Sequence, residues 1–465
     1  MAKLTKPGSN VIRVSAQKTA ATETTPSVSG VVATMSCLAE PGKLHKVTGW
    51  YDFQAQCGVL DAEDVKTNFL ANAVYAYYQL NGGDFYFVLA KEDGGAKASV
   101  KADSLTVTAK NVGKWGNNIS VAVASGIVTV KYGQDTEVFT SVEDMAESYY
   151  VTATGTIGED AEEAKLTGGE DATGGLTETN VGEAFMELTK AQDLTVFSVL
   201  AEDPKYSFSL KQQLASLEQT YDRKIACITS LNGNPASPST KKVIKDALEG
   251  DVTGNLFYRY AVHYPNVILT NPCGTPSGKV EVPACVVEHA VYGYFANEYG
   301  VRKAPAGYES TLPNVTDVAY TLTDPQIGDF NSNNINCIVP KSGHGVVNWG
   351  ARLLQEHQDR KYISDLLLDN YIENWIKIDT EWATFESIDD VTQAKLVARI
   401  ETFLNTLWKE GALKGEKAEQ AYFVQCNDDT MKTAQEGQII IECGWAKKVP
   451  AEFITTKVIY DATIG

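Results

Sequence analysis

The chain has 465 residues, 43% of them hydrophobic and 21% charged, which predicts about two to four folded domains, each with a buried core. Its 59 acidic and 40 basic residues give a formal net charge of −19. That sign disfavours nucleic acid and anionic membranes as partners, because both attract positively charged surfaces. No apolar run approaches the ~18 residues that span a bilayer, and the first residues contain no hydrophobic signal core, so we expect folding in a cytoplasm.

The eight cysteines are widely spaced and never occur as CxxC, which excludes a zinc ribbon or a redox pair of that type. Most lie in apolar strings such as KIACITS and NINCIVP. We therefore expect free, buried thiols and no disulfide framework.

A basic leader occupies residues 1–22, which contain four basic residues, no acidic residue and too few apolar residues to pack alone. Val11, Ile12 and Val14 stand in the string VIRVS, whose alternation is typical of a β-strand. We expect an N-terminal arm at 1–22 that needs a partner.

An α/β pattern follows at 23–96 and resumes at 177–335. Apolar strings such as SGVVATMSCLA, DFYFVLA, KIACITS, YRYAVHYP and NVILTNP alternate with helical patterns at 65–80, 206–221, 240–248 and 284–299. Such alternation predicts a largely parallel sheet with helices on both faces. The expected fold is α/β, with a doubly wound core formed by the two stretches together.

The stretch 97–176 interrupts this pattern with short strand-like strings separated by Gly, Asn and Asp, and it ends in an acidic, glycine-rich segment. Short strands at close spacing with turn signals predict a small β domain. We expect an inserted, β-rich domain that protrudes from the core, with its acidic end as a solvated loop.

The last third of the chain has a different order of elements. A strand (INCIVP) precedes two long helices near 361–378 and 391–408, and two further strands follow. This order is typical of an α+β domain, which we place at 336–452. The string AEFITTKVIY alternates again, so we expect a C-terminal arm at 453–465 whose strand carries Ile454, Thr456, Val458 and Tyr460 on one side.

Two strings resemble ligand-binding loops without meeting their requirements. GTPSGKV at 274–280 has one residue too few for a phosphate loop, and valine stands where Ser or Thr would hold magnesium. Asp329, Asn331 and Asn333 begin like a calcium loop, but Asn334 occupies the position of its required glycine. We expect no nucleotide at the first, an Asn-rich turn at the second, and no cofactor or metal.

None of the five histidines stands at metal-ligand spacing, and HExxH, GxSxG and GxGxxG are absent. His344, in the glycine-flanked string KSGHGVVNWG, is the best catalytic candidate, although a histidine in a turn or a buried network fits the same string. The pairs Asp389–Asp390 and Asp428–Asp429 fit helix starts or turns better than acid–base chemistry. We expect that the protein is not an enzyme.

Several strings, taken in order, resemble contractile-tail sheath proteins, the family found in myophage tails and R-type bacteriocins. TTPSVSGVVATMSCLAEPGKLHKVTGWYDFQAQCGVL, followed by a helical pattern and NGGDFYFVLA, is similar to the opening of that family. Gly113–Asn118 (GKWGNN) resembles its "G.WGN" turn, and YGVRKAPAG at 299–307 resembles its "GVWKAPA" motif.

The resemblance continues to residue 455. Asn348–Arg352 (NWGAR) matches the place of the family's "VWGAR" string, and FLNTLWKEGALKGEKAEQAYFVQCNDD, GQIIIECGWA and PAEF follow in the family's order. The chain departs from the pattern at residues 1–20, at Ser387, where proline is common, and at Arg302, where tryptophan is usual.

The resemblance implies a structural protein whose copies stack as hexameric rings around a tail tube and contract to drive the tube through a target cell envelope. It implies that both terminal arms add strands to sheets of neighbouring copies. It also implies that the C-terminal domain faces the tube, which makes Lys409, Lys414 and Lys417 candidates for tube contact. The implied partners are other copies of the chain, the tube protein, and baseplate and tail terminator proteins. The implied location is a virion tail or an injection particle, assembled in the host cytoplasm.

Other classes of protein stay open at this point. An α/β enzyme, hydrolase or nucleotide-dependent, with an unrecognised site is compatible with the predicted core. A surface-array or adhesion protein would need an export signal. The sheath-like strings are equally compatible with a protein of a phage tail, of a bacteriocin or of another contractile machine.

Overall fold

The computed structural model describes residues 28–58, 68–81, 83–221, 223–233, 257–275, 278–357 and 360–455. Contacts between Cα atoms divide the chain into two compact units. The first, called the core unit, holds the described residues of 25–298 and 305–370, and the second, called the C-terminal unit, holds those of 299–304 and 371–465. The predicted helix at 240–248 lies outside the described residues.

The described residues form strands and helices in alternation, so the fold is a mixture of α and β. The strands are β1 (Ser29–Ala33), β2 (Leu44–Val47), β3 (Phe85–Leu89), β4 (Ser99–Ala102), β5 (Leu105–Ala109), β6 (Ile119–Ala124), β7 (Ile127–Tyr132), β8 (Asp135–Phe139), β9 (Val151–Gly155), β10 (Ala161–Lys165), β11 (Val196–Val199), β12 (Ala226–Ser230), β13 (Tyr260–Tyr264), β14 (Val267–Thr270), β15 (Lys279–Val282), β16 (Val315–Val318), β17 (Ile335–Lys341), β18 (Gly345–Asn348), β19 (Arg352–His357), β20 (Arg360–Tyr362), β21 (Tyr422–Gln425) and β22 (Glu442–Trp445). The helices are α1 (Trp50–Cys57), α2 (Phe69–Leu80), α3 (Glu178–Leu188), α4 (Lys205–Phe208), α5 (Lys211–Tyr221), α6 (Cys285–Tyr299), α7 (Asp324–Ser332), α8 (Ile363–Thr380), α9 (Asp390–Lys409), α10 (Ala418–Ala421) and α11 (Asp428–Met431).

An eight-stranded sheet forms the centre of the core unit. Six strands run parallel in the order β17-β13-β12-β11-β1-β3. An antiparallel strand lies at each edge, β18 beside β17 and β2 beside β3. The largely parallel sheet predicted from the alternating strands and helices is therefore present.

Helices cover both faces of this sheet, as neighbouring residues of β3 show. Tyr86 and Val88 lie in one apolar cluster with side chains of α3, α5 and α7. Phe85 points to the opposite face because strand side chains alternate, and its ring lies 4.9 Å from that of Tyr77 in α2 and 6.0 Å from that of His289 in α6. Burial on both faces explains why these strands are continuous apolar runs.

Polar side chains cap the core helices at their first residues. Asn68 accepts a hydrogen bond from the Ala71 amide at the start of α2, and Thr177 and Asn180 form a reciprocal capping box at α3. The single helix predicted at 206–221 is wrong, because two helices, α4 and α5, occupy that stretch. Between them the Ser209 hydroxyl donates to the Tyr206 carbonyl at 2.8 Å, a side-chain bond that competes with the helical ladder.

The predicted strand NVILTNP does not join the parallel sheet, contrary to expectation. Its residues form β14, which pairs with β15 and β16 in a separate antiparallel sheet. Only Pro265 and Asn266 separate β14 from β13. Because a parallel neighbour needs a crossover of about a dozen residues or more, this connection is too short for β14 to run parallel beside β13.

The stretch 97–176 is β-rich, as the sequence predicts. It contains two antiparallel sheets, β4-β5-β9 and β10-β6-β7-β8. Its own apolar cluster includes Val107, Trp115, Val121 and Val130. The acidic end is not loop throughout, because Ala161–Lys165 form β10, a strand whose residues are almost all exposed.

The strand INCIVP belongs to the core unit rather than to a separate C-terminal domain. It forms β17, which pairs in parallel with β13 and continues into the β17–β18 hairpin at the sheet edge. A boundary at 336 would therefore divide the core sheet. The two units separate in sequence at Asn370 and Tyr371, inside α8.

The C-terminal unit is built around α9, which packs against β21. Leu396, Ile400, Phe403 and Leu407 are buried at intervals of three or four residues, so they form one apolar stripe along the helix. Trp375 of α8 stacks on Phe403 with 3.4 Å between ring centroids. This order of helices followed by an antiparallel strand pair agrees with the predicted α+β class.

Candidate assembly surfaces

Among the described residues, the two-stranded sheet of the C-terminal unit has open edges. β21 and β22 pair antiparallel from Tyr422–Trp445 to Gln425–Glu442. Within the described part of the chain no third strand joins this sheet, and a single bridge between Leu413 and Lys447 lies just beyond β22. An open edge exposes backbone donors and acceptors, so it can accept a strand from another chain.

The predicted arm strands lie almost wholly outside the described residues: Val11, Ile12, Val14, Thr456, Val458 and Tyr460. Ile454 is described, and its side chain is 88% exposed. Residues 451–455 have no regular structure, so the strand predicted from Phe453 onward is absent over its described part.

The three candidate lysines for tube contact are exposed around the C-terminal end of α9. Lys409 is the last residue of α9, Lys414 lies in the following loop, and Lys417 precedes α10. The Trp408 indole donates to the Gly415 carbonyl at 2.9 Å, which holds this loop against the helix. Three glutamates alternate with the lysines and bring the formal charge of 409–419 to zero (3 − 3 = 0): Glu410, Glu416 and Glu419.

The segment 378–391, between α8 and α9, exposes apolar side chains to an unusual degree, and we call it the 378–391 patch. Arg399 of α9 pairs with Asp379 and lies 5.9 Å from the ring of Trp382. A groove of about 500 Å³ lined by Trp375 and Phe403, among others, adjoins it. The exposed apolar side chains have exposures of 38 to 90%: Ile378, Trp382, Phe385, Ile388 and Val391.

Two of the strings that carry the sheath resemblance contact each other in the core unit. The Asn348 side-chain amide donates to the Pro305 carbonyl at 2.7 Å, and the Gly307 amide donates to the Asn348 carbonyl at 2.9 Å. A Cβ at Gly350 would lie 2.9 Å from the Cα of Asn336, so only glycine fits there without a shift. These residues therefore have packing roles, and residues 305–307 pack against Asn348 within the core unit.

Asn348 also belongs to a buried polar cluster that the sequence did not reveal. His263 of β13 and Glu288 of α6 have no exposed surface, and His263 Nδ1 lies 3.4 Å from Glu288 Oε1. His263 Nε2 lies 3.1 Å from the Tyr292 hydroxyl. The only sequence signal was a polar residue within an apolar run, which does not identify its contacts.

Burial sets the protonation states in this cluster. It raises the pKa of Glu288 well above the usual range of a carboxyl group and lowers the pKa of His263 to about 3. His289, which contacts the Ser198 hydroxyl at 2.7 Å, likewise has its pKa lowered to about 3 by burial. Burial therefore disfavours the charged form of each of these groups, and the absence of exposed surface denies a substrate access to them.

The other chemical candidates have structural roles. His344 is exposed in the β17–β18 turn, where its ring lies 4.5 Å from that of Tyr308. Asp389 is the N-cap of α9 and accepts from the Thr392 amide at 2.7 Å, which lowers its pKa. Asp428 begins α11, as expected for a helix start.

The two loop-like strings do not form ligand sites in the described residues. Asp329 and Asn331 lie inside α7, because a capping box at Thr323 starts a helix that runs to Ser332. The predicted Asn-rich turn is present just after it, at Asn333 and Asn334, where the Asn334 amide donates to the Asn331 carbonyl at 3.0 Å. In 274–280, Lys279 begins β15, and residues 276–277 lie outside the described part. No group of three or more potential metal-ligating residues and no helix able to cross a membrane occurs among the residues that the structure describes.

Comparisons with known proteins find the same fold elsewhere. No family model and no curated protein matches the sequence. The helical sheath of the anti-feeding prophage in its contracted state is 22% identical, with a TM-score of 0.62 over 99% of this chain and 100% of that chain. The sheath tail protein from Desulfitobacterium hafniense is 16% identical, with a TM-score of 0.64 over 90% of this chain and 93% of that chain. The sheath tail protein from Listeria innocua is 14% identical, with a TM-score of 0.65 over 92% of this chain and 96% of that chain.

These matches extend over nearly the whole of each chain. This chain therefore has the fold of the sheath proteins of contractile systems, in agreement with the resemblance found in its sequence.

Proposed function

We propose that this chain is the repeating subunit of a contractile sheath. Copies stack as hexameric rings around a tail tube, and their contraction drives the tube through a target cell envelope. The observation that carries this proposal is the whole-chain agreement in fold with a helical sheath in its contracted state. The ordered sheath-like strings from residue 27 to 455 support it independently.

Neighbouring copies are joined by strand addition in this proposal. The terminal arms of adjacent subunits, with Val11, Ile12 and Val14 at one end and Ile454 to Tyr460 at the other, pair with the open edges of the β21–β22 sheet. Each backbone hydrogen bond stabilises by only about 0.5 to 1.5 kcal/mol. Several bonds per arm nonetheless hold subunits together while the subunits rotate.

The tube-facing surface is proposed to include Lys409, Lys414 and Lys417. A sheath has to hold its tube before contraction and release it during contraction, which favours exchangeable ion pairs over a buried apolar seam. Exposed ion pairs contribute only about 0.2 to 1 kcal/mol each and weaken with salt. The alternation with glutamates suits a tube surface that also carries both signs of charge.

The other parts of the proposal concern location and partners. The 97–176 insert, with its exposed β10, is placed on the outside of the sheath. Baseplate and tail terminator proteins contact the ends of the assembly. The particle is a virion tail or another injection machine and is assembled in the host cytoplasm.

The proposal is tested by sedimentation and negative-stain microscopy of the purified chain. Pelletable, hollow cylinders support it. A small soluble species that turns over a substrate would instead favour the α/β enzyme alternative.

A further inference from the structure

Two of the cysteines, Cys37 and Cys57, lie side by side in the core unit. Both are free thiols and both are buried, with exposures of 2% and 0%. Cys37 follows β1, and Cys57 is the last residue of α1. The Leu38 amide donates to the Cys57 carbonyl at 3.1 Å. This bond and standard backbone dimensions place the Cα atoms of the two cysteines within about 8 Å of each other.

The two thiol groups are also neighbours. The pKa of the Cys57 thiol is raised well above its usual range, mainly by burial and secondarily by contact with the Cys37 thiol. A disulfide joins Cα atoms that are about 4.4 to 6.8 Å apart. The backbone therefore already holds this pair near the separation that a disulfide requires.

A cavity gives access to one of the two thiols. Its volume is about 310 Å³, and it lies where β1 and β3 end, between Met35 and Ser36 on one side and Lys91 on the other. Cys37, but not Cys57, is among its lining residues. Lys91 is exposed, so the cavity opens to solvent there. A molecule of the size of water occupies roughly 30 Å³, so a small oxidant such as hydrogen peroxide can reach Cys37.

We propose that Cys37 and Cys57 form an oxidisable thiol pair, which hydrogen peroxide entering this cavity converts to a disulfide. The inference goes beyond the proposed function and does not depend on it, because both cysteines belong to a single chain.

The oxidation proceeds in two steps. The Cys37 sulfur attacks one oxygen of the peroxide, the O–O bond breaks, and an S–O bond forms, so Cys37 becomes a sulfenic acid. The hydroxide that leaves takes up the thiol proton as water. The Cys57 sulfur then attacks the Cys37 sulfur, the S–O bond breaks, and the S–S bond forms, while the Cys57 proton and the departing hydroxide give a second water. Two thiols are oxidised and one peroxide is reduced to two waters.

The order of the steps follows from the surroundings of the two thiols. Cys37 lines the cavity and meets the peroxide first. The thiolate is the reactive form of cysteine, so the raised pKa of Cys57 makes it the poorer first nucleophile. Cys37 is therefore the peroxide-reactive thiol, and Cys57 is the thiol that completes the disulfide.

The disulfide would close a loop around an edge of the central sheet. Residues 37–57 contain β2, the antiparallel strand that pairs with β3 at this edge. A cross-link between the two ends of this segment restricts the unfolded chain more than the folded one, so it stabilises the fold. We expect the oxidised chain to melt several degrees above the reduced chain.

Peptide mapping tests the pair in the full-length wild-type chain. The reduced protein is treated with hydrogen peroxide, alkylated under denaturing conditions, digested without reductant and analysed by mass spectrometry. We expect the Cys37 and Cys57 peptides to be linked, while Cys227 and Cys285, a similarly buried comparison, are alkylated. Met35 lines the same cavity, so its conversion to the sulfoxide reports that peroxide has entered. Alkylated Cys37 and Cys57 overturn the proposal, whether or not Met35 is oxidised.

Trapping the sulfenic acid tests the order of the two steps. In a Cys57→Ala chain the Cys37 sulfenic acid has no partner, so we expect dimedone to label Cys37 after peroxide treatment. In a Cys37→Ala chain we expect no label on Cys57. A label on Cys57 of the Cys37→Ala chain contradicts access through the cavity. The wild-type mapping stands without these variants if either of them fails to fold.

The melting temperature tests the effect on the fold. We expect that of the wild type to rise by several degrees on oxidation and to return after treatment with dithiothreitol. The Cys37→Ala chain should show no such shift, whereas Cys426→Ala, which removes a half-buried thiol of the C-terminal unit, should behave like the wild type. An equal shift in the wild type and the Cys37→Ala chain overturns the assignment of the stabilising disulfide to this pair.

Discussion

The Nδ1 atom of His263 lies 3.4 Å from the Oε1 atom of Glu288, and neither side chain has exposed surface. The pair joins the parallel strand β13 to helix α6. Asn348 extends the link to the β17–β18 hairpin, because its side-chain amide lies 3.5 Å from Glu288 Oε2. Neither His263 Nδ1 nor Glu288 Oε1 has a hydrogen-bond partner of good geometry in the structure, and burial of an unpartnered group disfavours a charge on it.

Replacing Glu288 by Gln should stabilise the protein increasingly as the pH rises. The pKa of Glu288 is raised in the folded state, so the folded protein holds a proton that the unfolded chain releases above about pH 4.3. The wild-type free energy of unfolding therefore falls with rising pH by up to about 1.4 kcal/mol per unit from this group. Denaturant unfolding of both proteins from pH 5 to 8 measures the difference. A difference that stays constant over this range would contradict a neutral Glu288.

Replacing His289 by Gln should make the protein less sensitive to acid. The pKa of His289 is lowered to about 3 by burial, so the unfolded chain binds a proton below about pH 6.5 that the folded protein does not. The wild type therefore loses stability as the pH falls from 6.5 towards 3, by up to about 1.4 kcal/mol per unit from this residue. The free energy of unfolding of both proteins is measured from pH 4 to 6.5. If it depends on pH in the same way for both proteins, His289 is charged in the folded state and the prediction fails.

Deleting the 97–176 insert should preserve folding and assembly. Its two ends lie together, because Gly174 donates its amide to the Asp93 carbonyl at 2.9 Å, and Ala96 pairs with Glu170. A short linker therefore spans the gap, at the cost of contacts such as the one between Asn111 and the Leu38 carbonyl. Circular dichroism and electron microscopy of the deletion variant check this. An unfolded product would show that the insert is part of the core.

Changing Lys409, Lys414 and Lys417 together to Glu should leave folding and self-assembled contracted cylinders intact. The triple variant should fail to clad tubes as extended sheath, because the charge of each subunit changes by six units, two at each exposed site. Co-assembly with the tube protein at low salt measures this. Normal cladding by the triple variant would remove these lysines from the tube-facing surface.

The sequence predicted the parts of the fold that depend on local pattern. Continuous apolar runs identified β3, β12 and β13, and the helical pattern at 391–408 identified α9 to within a residue or two. Pairing partners were less predictable. β14 resembles its parallel neighbours in composition, yet a two-residue connection forces it into another sheet.

Residues that act through long-range contacts were not predictable from pattern. His263, Glu288 and Asn348 come from three separate elements, and each alone is an ordinary polar residue in an apolar context. The exposure of Phe385 and its positive φ also have no local signature, because only the folded backbone determines both. The sequence strings did identify the sheath-like fold. Two of them, NWGAR and KAPAG, contact each other through the hydrogen bond from Asn348 to the Pro305 carbonyl.

Electron microscopy of the purified full-length chain tests the sheath function most directly, with deletions of residues 1–18 and of 454–465 as matched controls. We predict that the full-length chain forms long hollow cylinders with sixfold symmetry in end-on views, while each deletion variant stays a folded monomer by circular dichroism and light scattering. Cylinders formed equally well by either deletion variant would contradict assembly through that arm. A full-length chain that remains monomeric at high concentration would contradict the sheath function itself.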